Sequence, residues 1–300
     1  MTRPLWAALL CLAIAGCQAR KSESLHIDPA LESLVPADTV FVVGANVEAI
    51  RDTPVFQKLL SRMPLPQLDE FTRRTGLDPR KDLSQILTCS NGKSALLMAR
   101  GKFKAQEVEP RLEANGAKPF VYKKYNLFGD ERGAIFFLDD STAIAGPTEG
   151  LRSIIDHTGP RGLPAPLRDL LRTLPAGDQI YAALTGGLEG LNLAIPQDSN
   201  LGNIVNVLRA IDSATLGMDL HSGIAATAEV TSKTERDAKF VHDMVKGIVG
   251  LGRLNTPDTH PELLRLYDAI KVEQQQTHTK VTADIPEDLA DRFLDLWLKH

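Results

Sequence analysis

Paired stretches of alternating apolar residues, each pair joined by a short turn, set the strictest limit on what this chain can fold into. Apolar residues occupy every second position of 216–220 and again of 224–230, on either side of a His-Ser-Gly turn at 221–223. Asn91-Gly92, the dipeptide most typical of two-residue hairpin turns, separates two more apolar stretches. Because alternation places every second side chain on one face, the pattern predicts antiparallel hairpins with one buried face.

Helical patterns lie between these hairpins, and the whole order is repeated. The order strand, helix, hairpin, helix, hairpin, helix occurs twice, offset by about 140 residues. Residues 34–38 (LVPAD) precede the first strand, and residues 174–178 (LPAGD) precede its counterpart. We therefore predict an α+β fold of two similar halves, 31–160 and 161–300, each an antiparallel sheet with helices packed on one face in a β-α-ββ-α-ββ-α pseudo-repeat. The alternative is that unrelated antiparallel α+β segments share this order without duplication.

Composition indicates a folded chain and argues against a nucleic-acid partner. Of 300 residues, 43% are hydrophobic and 24% are charged, which is typical of a globular protein. Lys and Arg together number 34 against 38 Asp and Glu, and the basic residues form no block. A protein that binds nucleic acid through phosphate contacts needs a basic surface. We therefore predict no nucleic-acid partner.

The N-terminus has the layout of an export signal. Arg3 provides a positive charge, and eleven consecutive apolar residues follow at 5–15. A helix of that length reaches about 17 Å, roughly half of a 30 Å hydrocarbon core. We therefore predict a signal peptide rather than a membrane-spanning helix.

The end of the apolar run contains Ile14-Ala15-Gly16-Cys17, which resembles the lipobox of bacterial lipoproteins. The resemblance implies that Cys17 receives a diacylglyceryl group on its thiol and that a peptidase recognising Ile14, Ala15 and Gly16 cleaves before it. The small residues suit a narrow peptidase groove, and a thiolate is the group that lipid alkylation requires. The alternative is an ordinary secretory cleavage site, because Ala13-Ile14-Ala15 also fits the small-x-small pattern.

The lipobox reading divides the N-terminus into a signal peptide, 1–16, and a lipidated cysteine with a tether, 17–30. The polar part of the tether, 18–27, extends over about 35 Å at most. Two or more acyl chains hold a protein durably to a bilayer, so the membrane is the predicted partner. We expect the body to face the periplasm of a bacterial cell envelope. By resemblance to enterobacterial sorting, Gln18 in place of Asp favours the outer membrane over the inner one.

The three cysteines leave no pair for an intramolecular disulfide. Cys11 is removed with the signal peptide and Cys17 is lipidated, so Cys89 is the one thiol that remains. Cys89 lies in a predicted strand with no activating base near it in sequence. We predict that it is a small core residue.

Fragments of two catalytic patterns occur, and we assign them to structural roles rather than to catalysis. Ser90 and Lys93 match the S-x-x-K of penicillin-binding proteins and β-lactamases, and residues 157–159 faintly resemble their K-T-G. In those enzymes the serine begins a helix and the lysine lies one turn later. Asn91-Gly92 stands between the two residues here and favours a hairpin turn. We therefore predict a turn and no nucleophile.

Metal and acid–base candidates are equally weak, and no cofactor or metal is predicted. The seven histidines are dispersed, without the spacing of a zinc motif. The remaining candidates are paired acids that we assign to turns and a histidine that we assign to a solvated helix face: Asp130-Glu131, Asp139-Asp140 and His242-Asp243.

The function follows from the anchor and not from a catalytic motif. Residues 36–60 look like the opening of uncharacterised exported bacterial proteins, a resemblance that implies no activity. We predict a non-enzymatic lipoprotein that binds an envelope protein or a small ligand, with a groove between the two halves as the expected site. The alternatives are a hydrolase of envelope polymers whose site combines sequence-distant residues, and a body that packs with copies of itself.

Overall fold

A computed structural model describes residues 24–62, 65–157, 162–186, 210–256 and 261–297. The strands in these ranges are β1 (Phe41–Asn46), β2 (Leu83–Ser90), β3 (Ala95–Gly101), β4 (Pro119–Tyr122), β5 (Tyr125–Gly129), β6 (Ala134–Asp139), β7 (Thr142–Gly146), β8 (Ile180–Thr185), β9 (Ile211–Asp219), β10 (Gly223–Ser232), β11 (Ile270–Gln275) and β12 (His278–Pro286). The helices are α1 (Pro29–Glu32), α2 (Val47–Arg51), α3 (Pro54–Arg62), α4 (Pro66–Thr75), α5 (Pro79–Asp82), α6 (Ala105–Ala114), α7 (Thr148–Asp156), α8 (Ala165–Leu171), α9 (Glu235–Leu254), α10 (Pro261–Asp268) and α11 (Glu287–Trp297).

All of these strands belong to one antiparallel sheet, which confirms the α+β class. The order is β11-β12-β10-β9-β8-β1-β2-β3-β7-β6-β5-β4. The separate sheet predicted for each half is therefore wrong, because β1 and β8 pair directly, with Val42 opposite Ala183 and Gly44 opposite Tyr181. Within its own half each of these strands has one neighbour and a free edge, and pairing the two edges satisfies their backbone groups.

One face of the sheet carries the main core, which spans both predicted halves. Strands β1, β2, β3, β5, β6, β7 and β8 bury their apolar side chains beneath α1, α7, α8 and the segment that precedes α1. The largest fully buried members of this core are Leu31, Leu87, Met98, Leu127, Phe136, Ile144, Leu151 and Leu167.

Helices also cover the opposite face. There α6 packs on Phe137 through Val108, and α9 packs on Leu184 through Val241. Helix α3, from the first predicted half, packs with α11 against β10 and β12 of the second. The prediction of helices on one face is therefore wrong for both halves. In the first half α7 and α6 lie on opposite faces of the sheet, and in the second half α8 and α9 do. The reason is that the strands carry apolar side chains on both faces.

The hairpin predictions are confirmed, and two local assignments are corrected. The turn that joins β2 to β3 contains Gly92, whose φ is 86°. Strands β9 and β10 pair as the alternation predicts. The sequence of residues 120–128 indicates a single strand, but these residues form the hairpin β4–β5, since Lys123 turns the chain with a φ of 52°. Ser232 and Glu235 have the spacing of a capping box, which indicates that Ser232 caps the helix that follows. Instead, Ser232 is buried at the end of β10. The N-cap of α9 is Thr234, whose hydroxyl accepts from the Asp237 N–H at 3.1 Å.

The described part of the chain begins inside the range predicted to be a tether. Leu25 and Ile27 are each 8% exposed and belong to the main core. Residues 24–30 are therefore part of the body, which shortens the tether. A helix predicted near 203–211 falls largely outside the described residues, and β9 has begun by Ile211.

Gly44 leaves room for the ring of Tyr181 where β1 pairs with β8, so a substitution at Gly44 tests this pairing. A Cβ at position 44 would lie 2.1 Å from the ring of the buried Tyr181. We expect Gly44→Ala to lower the free energy of unfolding by about 1–3 kcal/mol, the usual cost of overpacking a core. Gly247→Ala is the control, because its Cβ would meet nothing within 4 Å on α9. That variant should raise stability by up to about 1 kcal/mol through helix propensity. Equal urea midpoints for the two variants would contradict this account.

Candidate functional site

The sheet face that carries the main core is no longer apolar on the strands beyond helix α8. On β9, β10 and β12 the side chains of this face become polar or small, and Gly217, Thr227 and Thr282 form a floor. The turn that follows α8, residues 173–178, makes a wall. Together they enclose an open groove of about 460 Å³, which we call the sheet groove. A second concave region of about 490 Å³ over β11 and β12 adjoins it, since Glu229 and Lys280 line both.

The sheet groove is acidic. Its lining contains Asp178, Asp219, Glu229 and Asp284 against the single base Lys280. Lys280 is paired with Glu229, with Nζ 2.8 Å from Oε1. Among the described residues, the carboxylates of Asp178 and Asp284 have no hydrogen-bond or ion-pair partner. The groove therefore offers uncompensated negative charge to whatever enters it.

A buried glutamine holds the wall of the sheet groove to its floor. Gln179 is 2% exposed, and its Nε2 donates to the carbonyl of Gly177 at 2.7 Å and lies 2.5 Å from Nδ1 of His221. Its Oε1 accepts from the N–H of Leu220 at 2.6 Å. These bonds satisfy a buried amide and connect the turn before β8 to the turn after β9. Sequence reasoning missed this residue.

Asp178 and Asp219 both line the sheet groove, but their pKa values are shifted in opposite directions. Burial, and next the negative charge of Asp219, raise the pKa of Asp178. Burial alone would also raise the pKa of Asp219, but hydrogen bonds from the backbone and ring of His221 and from Gln179 lower it overall. The Asp178 carboxylate lies against Gly217, where a Cβ would be 2.0 Å from Oδ2. The environment thus moves the pKa values of two neighbouring carboxyls apart.

The sheet groove does not lie between the two predicted halves. It is lined by residues of the second predicted half alone. Where β1 and β8 pair, Val42 is fully buried and Ala183 is 1% exposed. The reason is that the described strands β1 and β8 form one hydrogen-bonded ladder whose side chains are covered on both faces.

The lipobox residues Ile14, Ala15, Gly16 and Cys17 lie outside the described residues. The described helices include none that is long and apolar enough to span a bilayer.

The S-x-x-K residues form a turn, as predicted. The Ser90 hydroxyl donates to the Ser94 carbonyl at 2.8 Å and accepts from the Gly92 N–H at 3.0 Å. Lys93 is exposed, and its N–H donates to the Asn91 side chain at 3.1 Å. The serine hydroxyl therefore stabilises the hairpin turn through one donated and one accepted hydrogen bond.

The paired acids also serve turns. Asp130 accepts from the N–H groups of Arg132 at 2.8 Å and Gly133 at 3.3 Å, and Asp139 accepts from the Ser141 N–H at 2.8 Å. Within the ranges that the structure covers, no cluster of three or more His, Cys, Asp or Glu is placed to hold a metal ion.

Cys89 and His242 complete the set of predicted residues. Cys89 is 2% exposed on β2, and burial raises the pKa of its thiol to about 11, which confirms an inert core cysteine. His242, predicted to be solvated, is only 19% exposed, with Nδ1 2.8 Å from Oδ1 of Asp243. This hydrogen bond is the main reason why the pKa of Asp243 lies below its ordinary value.

Comparison with known proteins reveals similarity at the level of structure. No family model matches the chain, and no curated protein matches it. Crystal forms I, IV and III of TP0453 are similar, at 9%, 9% and 10% sequence identity and TM-scores of 0.46, 0.48 and 0.48. The matches cover 91%, 91% and 92% of this chain and 98%, 97% and 99% of the others. At this level the similarity says nothing about function.

The opposite shifts of Asp178 and Asp219 are open to direct measurement. We expect carbon-detected NMR titration to place the pKa of Asp178 above 3.8 and that of Asp219 below it. Asp219→Asn should lower the pKa of Asp178, because the like charge is gone, but burial should keep it above the ordinary value.

The same shift predicts a pH-dependent stability difference for Asp178→Asn. Because folding raises the pKa of Asp178, its stabilising contribution is present at low pH and is lost as pH rises through the folded-state value. The variant should therefore gain stability over the wild type at pH 7 and lose that advantage below pH 3.8. A constant difference across this range, measured by urea unfolding, would rule out the shift.

Proposed function

We propose that this protein is a bacterial envelope lipoprotein, anchored through a lipidated Cys17 and acting as a non-enzymatic binding or interaction protein. The single observation that carries the proposal is the apolar run ending in Ile14-Ala15-Gly16-Cys17. In this proposal residues 1–16 are the signal peptide and the body faces the periplasm. Gln18 after the cysteine favours the outer membrane.

The position of the body's first buried residue supports this arrangement. Leu25 is in the main core, eight residues after Cys17 in the sequence. Eight extended residues span at most about 28 Å, so the acyl chains would hold the body close to the headgroups. The short tether limits how far the body can move from the membrane and favours one orientation.

Exposed apolar residues support a binding role. On α9, Ile248, Leu251 and Leu254 are 58%, 61% and 82% exposed, and on the edge strand β4 Val121 is 72% exposed. Clustered apolar side chains and open sheet edges are typical of surfaces that bind a partner. A partner at the envelope or a small ligand is therefore the proposed target.

The anchor is tested by growing cells with labelled palmitate. We expect label in the wild-type protein and in Cys11→Ser, whose substitution lies in the removed signal peptide, but none in Cys17→Ser. The intact mass of the wild type should fit a chain that begins at Cys17 with added acyl groups. A mature chain that begins at an unmodified Gly16 would contradict the proposal. Separation of the two membranes on a density gradient then tests the outer-membrane assignment.

A hydrolase of envelope polymers is the second candidate function, and the Asp178–Asp219 pair is the observation that favours it. Two neighbouring carboxyls whose pKa values are shifted apart are a pair of the kind that acid–base hydrolysis uses. Asp219, however, already accepts hydrogen bonds from His221 and Gln179. These bonds oppose a role as a base, so binding is the better-supported function.

Incubation with purified peptidoglycan distinguishes the two functions. If the protein only binds, it should release no more soluble sugar or peptide than a buffer blank. Release that is lost in Asp178→Asn and kept in Asp284→Asn, a matched loss of charge in the same groove, would establish the hydrolase instead.

We also propose that the two halves are a structural duplication. Outward from the pairing of β1 with β8, the strands follow the order β1-β2-β3-β7-β6 on one side and β8-β9-β10-β12-β11 on the other. Each side begins with a strand that follows an LVPAD or LPAGD segment. The hairpin β4–β5 is an addition to the first half.

A further inference from the structure

The described chain enters the body at the rim of the sheet groove. Ser24 forms an antiparallel bridge with Pro175, and the N–H of Leu25 donates to the carbonyl of Leu174 at 3.0 Å. Leu174 and Pro175 both line the groove. Ser24, the first described residue, therefore lies beside the groove.

The bridge lies next to a carboxylate of the groove. Residues 175–178 form a turn in which the N–H of Asp178 donates to the carbonyl of Pro175 at 3.2 Å. Because Ser24 bridges to Pro175 at the start of this turn, Asp178 lies close to the point where the described chain begins. A continuation of the chain before Ser24 can therefore reach the groove wall.

The charges on the two sides are complementary. Arg20 and Lys21 lie four and three residues before Ser24 and are accompanied by one acid, Glu23. At about 3.3–3.6 Å per residue, they lie within about 15 Å of the bridge. The groove presents the unpaired carboxylates of Asp178 and Asp284 within the described structure.

We propose that residues 18–23 dock in the sheet groove, with Arg20 and Lys21 against the carboxylates of Asp178, Asp219 and Asp284. In this proposal the chain's own residues 18–23 cover the polar face of β9, β10 and β12. Where the proposed lipid anchor holds, docking also turns this face toward the bilayer. The docking itself does not depend on lipidation, but the orientation does.

A zero-length carbodiimide, which joins an amine to a carboxylate in contact, tests the docking on the purified full-length protein. We expect peptide mapping to find Lys21 joined to Asp178, Asp219 or Asp284. The link should disappear in 1 M salt, where the screening length falls to about 3 Å. The Lys280–Glu229 pair, at 2.8 Å, serves as the internal control in each reaction.

A second measurement does not depend on chemical coupling at Lys21. Arg20→Gln with Lys21→Gln should raise the pKa of Asp178 in an NMR titration, because two facing positive charges are gone. Asp130, which lies outside the groove, is the control: hydrogen bonds from Arg132 lower its pKa, and that pKa should be the same in the variant as in the wild type.

Three results would overturn the proposal. The first is the absence of a Lys21 link when the Lys280–Glu229 link forms. The second is a link confined to a dimeric product, which would place the tether in the groove of another copy. The third is a link that forms in neutral detergent and vanishes in vesicles with anionic lipid, which would assign the bases to headgroups. Palmitate labelling reports separately on the anchor, so failure of either proposal is recognisable.

Discussion

The backbone pairing of β1 with β8 is the interaction on which the rest of the structure depends. It joins strands from both ends of the chain into one sheet, and each strand of the pair has covered side chains on both faces. Val42 and Tyr181 enter the main core on one face, and Phe41 and Leu184 enter the cluster beneath α9 on the other. The apolar clusters on both faces of the sheet therefore include side chains of this one pair of strands.

The segment between α8 and β8 couples the core to the sheet groove. Leu174 is buried in the core, Pro175 bridges to the start of the described chain, and Asp178 faces the groove. Five residues thus connect the packing of the core, the start of the described chain and the acidic wall of the groove.

Local features were predictable where one side chain or dipeptide decides the backbone. Asn91-Gly92 forms its hairpin and Asp130 forms its turn, because both depend on hydrogen bonds within a few residues. The β4–β5 hairpin was not predictable, since Lys123 adopts a positive φ without glycine or asparagine. Gln179 gave little signal either, because its amide is satisfied by residues about 40 positions away.

The sequence by itself determined the α+β class, the hairpins, the core position of Cys89 and the expectation of a lipid anchor, since each rests on periodicity or on a short motif. Tertiary structure alone decided that the two halves share one sheet, that helices cover both faces of each half, and that Asp178 and Asp219 meet in an acidic groove. Pairing of strand edges and burial of carboxyls arise from contacts between distant segments. No local pattern encodes which distant segment will be the neighbour.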